Sequence, residues 1–243
     1  PSSLRHLSMP TRYVSSLASD VSNSHGDNSK TFDVDIINQL THDIKAVLKE
    51  KIKLSIVIGG GNIIRGINYS EYNLNKNDAD NMGMLSTVIN GIYLKNALKN
   101  VNVKSKIFSA ISIPGIVDKF NHESAINEIN TGSTLILVGG TGNPYFTTDT
   151  TSVLRALELG CDVILKGTKV DGVYDKDPEY NDNIKKFTKL HYNYIIENKL
   201  NIMDMSSITL AQDSGLPIIV FSIKKKNQLK NVLLGSGDCT IIS

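Results

Sequence analysis

Hydrophobic residues follow two different spacings along the chain from residue 32 onwards. Six short apolar runs are typical of buried strands, and they lie at 54–58, 106–109, 135–138, 163–165, 217–221 and 240–242. Six stretches with apolar residues every three or four positions predict helices, at 34–50, 78–99, 121–130, 149–159, 206–214 and 226–234. This alternation predicts an α/β fold, in which helices cover both faces of a mainly parallel sheet.

The longest predicted helix, 78–99, contains many apolar residues. We expect six of them to form one face, namely Met82, Leu85, Val88, Ile89, Ile92 and Leu98. Polar and charged residues follow the strand at 163–165, and they predict a loop that continues to about residue 185.

Three predicted strands end in segments that can bind anionic ligands. Residues 59–61 are all glycine, 139–143 reads Gly-Gly-Thr-Gly-Asn, and 166–171 contains two lysines. Glycines let backbone N–H groups approach a ligand closely, and the N-terminus of the helix after 139–143 favours anions. Each residue of 147–149 is able to cap that helix. Because the carboxyl ends of parallel strands meet at one edge, we expect these segments to converge there. The two glycine segments, 59–61 and 139–143, form two phosphate-sized sites on one sheet. They indicate an enzyme with two phosphorylated ligands.

Composition excludes several classes of protein. The chain has 243 residues, 40% of them hydrophobic, which is sufficient for one substantial domain. A formal net charge of +2 argues against a dedicated nucleic-acid surface. Cys161 and Cys239 form neither a disulfide framework nor a metal-binding motif, which fits a reducing compartment. No apolar stretch approaches the roughly 18 residues of a membrane span, so no membrane partner is expected.

Two common nucleotide-binding fingerprints are absent. The chain lacks Gly-x-x-x-x-Gly-Lys-Ser/Thr, and 59–61 does not match Gly-x-Gly-x-x-Gly, which argues against a P-loop ATPase and a dinucleotide enzyme.

Arg65 follows the glycines by about one helical turn, where it either forks onto phosphate oxygens or forms a surface ion pair. Asp80 either complements the dipole of its helix or accepts hydrogen bonds from ribose hydroxyls. In 166–178 two lysines can meet phosphates, and Tyr174 offers a ring for adenine.

The chain from about residue 32 to 242 resembles, in order, the bacterial-type UMP kinases (uridylate kinases) of the amino-acid kinase superfamily, and five segments carry the resemblance. They are 58–66 (Ile-Gly-Gly-Gly-Asn-Ile-Ile-Arg-Gly), 79–84 (Ala-Asp-Asn-Met-Gly-Met), 140–149 (Gly-Thr-Gly-Asn-Pro-Tyr-Phe-Thr-Thr-Asp), 169–174 (Lys-Val-Asp-Gly-Val-Tyr) and 201–204 (Asn-Ile-Met-Asp). The Asn-Pro-Tyr-Phe-Thr-Thr-Asp run is specific to that family, and with Asp80 it fits a nucleotide acceptor better than an amino acid such as acetylglutamate.

The resemblance implies a three-layer αβα sandwich that transfers a phosphoryl group from Mg·ATP to UMP in pyrimidine nucleotide biosynthesis. It also implies a homohexamer that responds to GTP and UTP. The Mg²⁺ is expected to bind through nucleotide phosphates, without a metal site of the protein's own. No general base is required, because the phosphate of UMP is already an anionic nucleophile.

The resemblance assigns a role to each matched residue. The residues implied for UMP are Gly60, Gly61 and Arg65 at the phosphate, Asp80 at the ribose, and Thr141, Asn143, Phe146 and Thr148 around the nucleotide and its uracil. Those implied for ATP are Gly59, Thr168, Tyr174 and Asp177. Those implied for catalysis are Asp149 and Asp204, which organise Mg²⁺ or the lysines, and the lysines Lys166 and Lys169.

The N-terminal segment departs from the family's pattern. The family begins with a strand and a Lys-Leu-Ser-Gly-Glu-like loop whose lysine and glycine contact the transferred group. Nothing similar precedes residue 34, and the nearest candidate, 12–19, lacks both residues. The first strand is therefore expected to be atypical or missing, unless residues 10–18 pair in its place.

Three explanations of this departure stay open. The chain is a truncated or misassembled form of a normal enzyme with an unrelated N-terminus, or an active kinase that uses Lys166, Lys169 or Arg12 instead. The third is a catalytically impaired protein that binds UMP or UTP as a regulator.

We expect residues 32–243 to form a single domain. Residues 1–31 are serine-rich, and no acidic residue precedes Asp20, which is typical of a transit peptide or a flexible tail. The expected location is the cytoplasm, or an organelle such as the plastid if 1–19 belong to a leader.

Overall fold

The computed structural model describes residues 12–17, 33–64, 73–176, 181 and 184–243, with 12–17 described by their backbone. The strands are β1 (Arg12–Leu17), β2 (Lys53–Ile58), β3 (Ser105–Ser109), β4 (Asp118–Lys119), β5 (Thr134–Val138), β6 (Val163–Thr168), β7 (Val173–Tyr174), β8 (Lys186–Phe187), β9 (Lys189–Leu190), β10 (Ile218–Ser222) and β11 (Cys239–Ile242). The helices are α1 (Val34–Leu48), α2 (Lys76–Asn100), α3 (His122–Asn130), α4 (Thr148–Glu158), α5 (Tyr192–Glu197), α6 (Met205–Asp213) and α7 (Gln228–Leu233).

Within the described part of the chain, nine strands form one sheet in the order β4-β3-β5-β2-β1-β6-β10-β11-β9. Neighbouring strands run parallel except for β10 and β11, which are antiparallel. The short strands β7 and β8 pair separately as an antiparallel ribbon. The prediction of an α/β fold with a mainly parallel sheet is confirmed.

The sheet carries one apolar layer on each face, because successive side chains of a strand point to opposite sides. In β5, Leu135 and Leu137 pack into the layer that contains residues of α3, α4, α5 and α6. Ile136 and Val138 pack into the other layer, with residues of α1, α2 and α7. This arrangement is the three-layer αβα sandwich that the resemblance implies.

A strand at 12–17 occupies the centre of the sheet. Its backbone pairs in parallel with β2 and β6, and Leu17 lies opposite Ile58 on one side and Gly167 on the other. The first strand is therefore present rather than missing, formed by a sequence that is atypical for the family. Its carboxyl end is level with the carboxyl ends of β2 and β6, at the edge where the glycine loop 59–61 begins.

The structure differs from the sequence prediction in the region of 163–197. Strand β6 continues to Thr168, so that Lys166 belongs to a strand and not to a loop. The polar stretch after it contains β7, and α5 follows further on in a segment without a predicted helix. Tyr192 explains why α5 is ordered, because its buried ring lies in the core and its hydroxyl donates to the Leu216 carbonyl at 2.5 Å.

Helix α2 has apolar residues on two faces, so the prediction of a single apolar face is wrong. Val88 and Leu98 are buried against the sheet. The other four residues form an exposed surface that we call the α2 apolar stripe, and they are Met82, Leu85, Ile89 and Ile92, at 38%, 49%, 51% and 43% exposure. Sequence periodicity did not separate the two sets because both recur at helical spacing. None of the described helices combines the length and apolar character of a membrane span.

Candidate functional site

The segments that follow β2, β5 and β6 meet at one edge of the sheet, as predicted, because these strands are parallel. Side chains then connect the segments. Lys166 of β6 contacts Asp149 in the first turn of α4, and two residues of α2 hydrogen-bond the loops after β2 and β5. The candidate site is therefore built from one sheet edge, one side of α2 and the N-terminal ends of α4 and α6.

The first glycine loop, 59–61, lies directly on α2. A Cβ atom at Gly60 would be 2.5 Å from the Gly83 carbonyl oxygen and 2.8 Å from Ser86 Cβ, so any side chain here would force the loop away from the helix. The Gly60 carbonyl accepts hydrogen bonds from the N–H groups of Ile63 and Ile64, at 3.0 and 3.1 Å. Gly59 and Gly60 are buried and Gly61 is half-buried. Arg65, the predicted phosphate ligand, lies outside the described residues.

The second glycine loop, 139–142, has a backbone conformation that favours glycine. Gly139 and Gly142 have φ angles of 78° and 83°, in the left-handed region that side chains disfavour. The loop continues into a turn in which Thr141 Oγ1 accepts from the Asn143 N–H at 3.2 Å. Asn143 and Phe146 are exposed, which leaves their side chains accessible to a ligand.

Asp80 connects residues 139–150, which we call the acceptor run, to α2. Its carboxylate accepts the Tyr145 N–H at 2.7 Å and the Lys76 ammonium at 3.0 Å, and its side chain is only 16% exposed. Tyr145 has a positive φ of 72°, an uncommon conformation for a residue with a side chain. Helix α2 begins at Lys76 with Asn75 as its cap, so Asp80 lies in the second turn rather than at the helix start. The helix-dipole interpretation of Asp80 therefore loses its basis.

An ion pair lies at the N-terminal end of α4. Thr147 caps this helix, as predicted for 147–149, by accepting the N–H groups of Asp149 and Thr150. Lys166 Nζ lies 2.5 Å from Asp149 Oδ1, and the two side chains are only 8% and 17% exposed. Burial raises the pKa of the Asp149 carboxyl above its ordinary range, the nearby Asp204 acts in the same direction, and the Lys166 ammonium acts against both.

Asp204 connects α6 to α4. As the cap of α6 it accepts the Ser207 N–H at 2.8 Å. The Thr150 hydroxyl donates to its carboxylate at 3.0 Å, and the Thr147 hydroxyl donates to the same group. The predicted catalytic residues Asp149, Asp204 and Lys166 thus lie together, whereas Lys169 is exposed in the bend after β6. No group of three or more metal-ligating side chains occurs among the residues described.

A second charged cluster surrounds Tyr174, a predicted ATP residue. The Tyr174 hydroxyl donates to Asp171 Oδ1 at 2.5 Å, and this hydrogen bond raises the pKa of Tyr174 to about 12. Lys186 and Lys225 each contact both Asp171 and Asp238. Burial acts to raise the pKa of Asp171, but the hydrogen bonds from Tyr174 and the lysines outweigh it and hold that pKa far below its ordinary range. Thr168 lies nearby in sequence and donates to the Val170 carbonyl at 2.6 Å, whereas Asp177 lies outside the described residues.

Thr87 and Asn90 each hydrogen-bond one of the two glycine loops, although neither was predicted as a site residue. Asn90 Nδ2 donates to the Gly59 carbonyl at 2.7 Å, and the Gly139 N–H donates to Thr87 Oγ1 at 2.7 Å. Their signal in the sequence is weak, because it consists of polar residues among apolar neighbours in the middle of a long helix. Thr148, a predicted UMP residue, is half-buried at the start of α4.

Comparisons with known proteins agree with this geometry. Residues 17–222 match the model of the amino acid kinase family. The chain is 42% identical over 218 residues to a uridylate kinase of Bartonella bacilliformis, covering 90% of this chain and 91% of that protein. It is 41% identical over 217 residues to a uridylate kinase of Rickettsia bellii, covering 89% of this chain and 91% of that protein.

Solved structures are similar along almost the whole chain. The crystal structure of UMP kinase from Ureaplasma parvum superposes with a TM-score of 0.91 at 36% identity, covering 96% of this chain and 99% of that one. The UMP kinase of Bacillus anthracis superposes with a TM-score of 0.91 at 31% identity, covering 96% of each chain. These similarities agree with the mainly parallel sheet and its two helical layers.

Proposed function

Because the chain belongs to the amino acid kinase family, and within it to the uridylate kinases, we propose that it transfers the γ-phosphoryl group of ATP to UMP. The products are UDP and ADP, and the reaction serves pyrimidine nucleotide biosynthesis. One observation carries the proposal beyond the family. Contacts from distant parts of the chain, Asp80, Lys166 and Asp204, converge on the acceptor run at 139–150. A segment fastened at so many points is suited to hold a nucleotide at a defined distance from a second one.

The acceptor pocket that we propose lies between the two glycine loops. The phosphate of UMP binds the N–H groups of Gly60 and Gly61 together with Arg65. The Asp80 carboxylate has about four lone-pair sites, two donors occupy part of them, and the remainder can accept from the ribose. Four residues of the acceptor run frame the nucleotide and its uracil, namely Thr141, Asn143, Phe146 and Thr148.

The catalytic step that we propose needs charge stabilisation rather than acid–base chemistry. An oxygen of the UMP phosphate attacks the γ-phosphorus, and the bond from that phosphorus to the β–γ bridging oxygen breaks, which releases ADP. Lys166 neutralises the transferred group, and Asp149 holds its ammonium in place at the N-terminus of α4. Asp204 supports this arrangement through Thr147 and Thr150, and Lys169 supplies a second cation from the exposed bend.

ATP binds on the opposite side of Lys166 in this proposal, along Gly59, Thr168, Tyr174 and Asp177. The carboxylates of Asp149 and Asp204 already accept hydrogen bonds from the protein. Kinases hold Mg²⁺ through one or two carboxylates and the substrate phosphates, so this donor set fits an ion bound mainly through ATP. When bound, the ion neutralises phosphate charge.

Self-association is part of the same proposal. The α2 apolar stripe exposes four large hydrophobic side chains in one row, a pattern typical of a surface that another subunit covers. We propose that it contributes to the homohexamer, and that GTP and UTP act as effectors of this assembly. Replacement of Leu85 by Asp places a charge in that row, and light scattering is expected to show a smaller particle than the parent. A particle of unchanged mass would exclude the stripe from the interface. The cytoplasm, or an organelle, remains the proposed location.

The experiment that tests the function compares acceptor nucleotides. A coupled assay with purified, folded protein and Mg·ATP is expected to show turnover with UMP and little with CMP or AMP. Calorimetry on the same sample measures UMP binding separately. Binding without turnover would refute the kinase and favour a regulator that senses UMP. Absence of both would refute the acceptor site itself.

The role of Arg65 has its own test. Arg65→Ala is expected to weaken UMP strongly and ATP little, because the guanidinium is assigned to the acceptor phosphate alone. An unchanged apparent affinity for UMP would refute that assignment.

A further inference from the structure

Helix α2 presents a polar face to the candidate site, opposite the α2 apolar stripe. Positions 80, 83, 87 and 90 recur every three or four residues, so they lie along one side of the helix. Asp80 contacts the acceptor run, Gly83 packs under Gly60, and Thr87 and Asn90 each hydrogen-bond one glycine loop. One rigid element of 25 residues therefore touches both loops that the proposed UMP site comprises.

Thr87 is oriented to serve the second loop. Its hydroxyl donates to the Met84 carbonyl at 2.7 Å, and this leaves its lone pairs to accept the Gly139 N–H at 2.7 Å. The side chain is buried, with 5% exposure. A buried N–H group without an acceptor is unfavourable. The second loop is therefore most stable in the position where Thr87 Oγ1 accepts the Gly139 N–H.

Asn90 serves the first loop with both ends of its amide. Its Nδ2 donates to the Gly59 carbonyl at 2.7 Å and to Asn62 Oδ1 at 2.6 Å, while Asn62 Nδ2 donates back to Asn90 Oδ1 at 3.1 Å. The residue is 4% exposed. The amide supplies a donor to Gly59 and an acceptor to Asn62 at the same time, whereas an ionised carboxylate supplies acceptors alone.

We infer that Thr87 and Asn90 are positioning residues that set the distance between the two glycine loops, and with it the affinity for UMP. Neither side chain touches the nucleotide in this assignment, which rests on the proposed function. Close packing leaves little freedom for the helix itself, because a Cβ at Gly91 would lie 2.4 Å from Val138 Cγ1 of β5. The helix and the sheet are therefore fixed relative to each other. The hydrogen bonds of Thr87 and Asn90 set the position of each glycine loop relative to them.

The first test replaces Thr87 by Val, which keeps the shape of the side chain and removes the hydroxyl. We expect the KM for UMP to rise about tenfold, equivalent to ~1.4 kcal/mol. The KM for ATP should stay within about twofold, because the hydrogen bonds of Thr168 and Tyr174 go to Val170 and Asp171. Thr87→Ser restores the hydroxyl and should restore the KM for UMP.

A matched control is available at Thr134, a buried threonine of β5 whose hydroxyl has no hydrogen-bond partner among the described residues. Thr134→Val makes the same chemical change and leaves no N–H group unpaired, so both KM values should equal those of the parent. Asn90→Asp provides a second variant if Thr87→Val does not fold. It removes the donors to the Gly59 carbonyl and to Asn62 Oδ1, which flank the two glycines at the UMP phosphate. Only Gly59 borders the proposed ATP site, so the KM for UMP should rise by more than the KM for ATP.

The outcomes separate this inference from the proposed function. No turnover by the folded parent protein would refute the kinase, and UMP binding by calorimetry then still reports on Thr87. An active parent together with a folded Thr87→Val protein of unchanged KM for UMP would overturn the inference. Equal increases in both KM values, or failure of serine to rescue, would also overturn it, because a general loss of structure predicts those results.

Discussion

Replacement of Lys166 by Met tests the ion pair at the centre of the site. Methionine has a similar length and no charge, so the change removes the ammonium that lies 2.5 Å from Asp149. That carboxylate is then left with 17% exposure and without an adjacent cation from the part of the chain that the structure describes. Asp204 remains nearby and disfavours a second negative charge. We expect Asp149 to take up a proton in the folded variant.

The cost of that proton follows from linkage. Holding protonated a carboxyl whose ordinary pKa is 3.8 costs ~4 kcal/mol at about pH 7, at ~1.36 kcal/mol per pH unit. Because the pKa of this carboxyl is raised in the folded variant, its contribution to the free energy of unfolding is fully present below the unfolded-state pKa. That contribution is lost as the pH rises. Relative to the parent, the variant should therefore lose up to ~3 kcal/mol more free energy of unfolding at about pH 7 than at about pH 5.

Urea unfolding followed by circular dichroism measures this difference at the two pH values. The double variant Lys166→Met/Asp149→Asn removes the titrating group, so the additional pH dependence of stability that Lys166→Met shows should disappear. A stability difference between Lys166→Met and the parent that is equal at both pH values would refute the reasoning. In the coupled assay, the single variant should lose a factor on the order of 10² to 10³ in kcat.

Three further predictions concern the surrounding residues. Gly60→Ala places a Cβ 2.5 Å from the Gly83 oxygen and should cost ~1–3 kcal/mol in urea unfolding; Gly83→Ala, whose Cβ would meet nothing within 4 Å, is the control and should be neutral or stabilising. Tyr174→Ala should raise the KM for ATP about tenfold through lost base stacking and leave the KM for UMP unchanged, and the reverse selectivity would exclude the ring from the ATP site. Asp204→Ala should lower the free energy of unfolding by ~1–2 kcal/mol, whereas Asp204→Asn keeps the cap of α6 and should lose less in a thermal melt.

Apolar periodicity predicted the central elements well because their burial is uniform. The run at 135–138 is buried along its whole length as part of β5, and its neighbours in the sheet have the same character. Once the strands are parallel, the meeting of the loops after β2, β5 and β6 follows from topology alone. The capping role of Thr147 was equally local, since it depends on residues within one turn.

Long-range contacts explain what the sequence did not predict. Strand β1 has only three apolar residues in Arg-Tyr-Val-Ser-Ser-Leu, and its place is set by pairing with β2 and β6. Thr87 and Asn90 gain their contacts from loops 52 and 31 residues away in sequence. The sequence predicts a single apolar face for α2, because helical spacing does not reveal which side of a helix the sheet covers.

The structure of a complex with UMP tests the central claim most directly. The account predicts the nucleotide between the two glycine loops, with its phosphate at the N–H groups of Gly60 and Gly61, its ribose beside Asp80 and its base against residues 141–148 of the acceptor run. A UMP molecule bound elsewhere, or an empty space between these loops at saturating UMP, would contradict it.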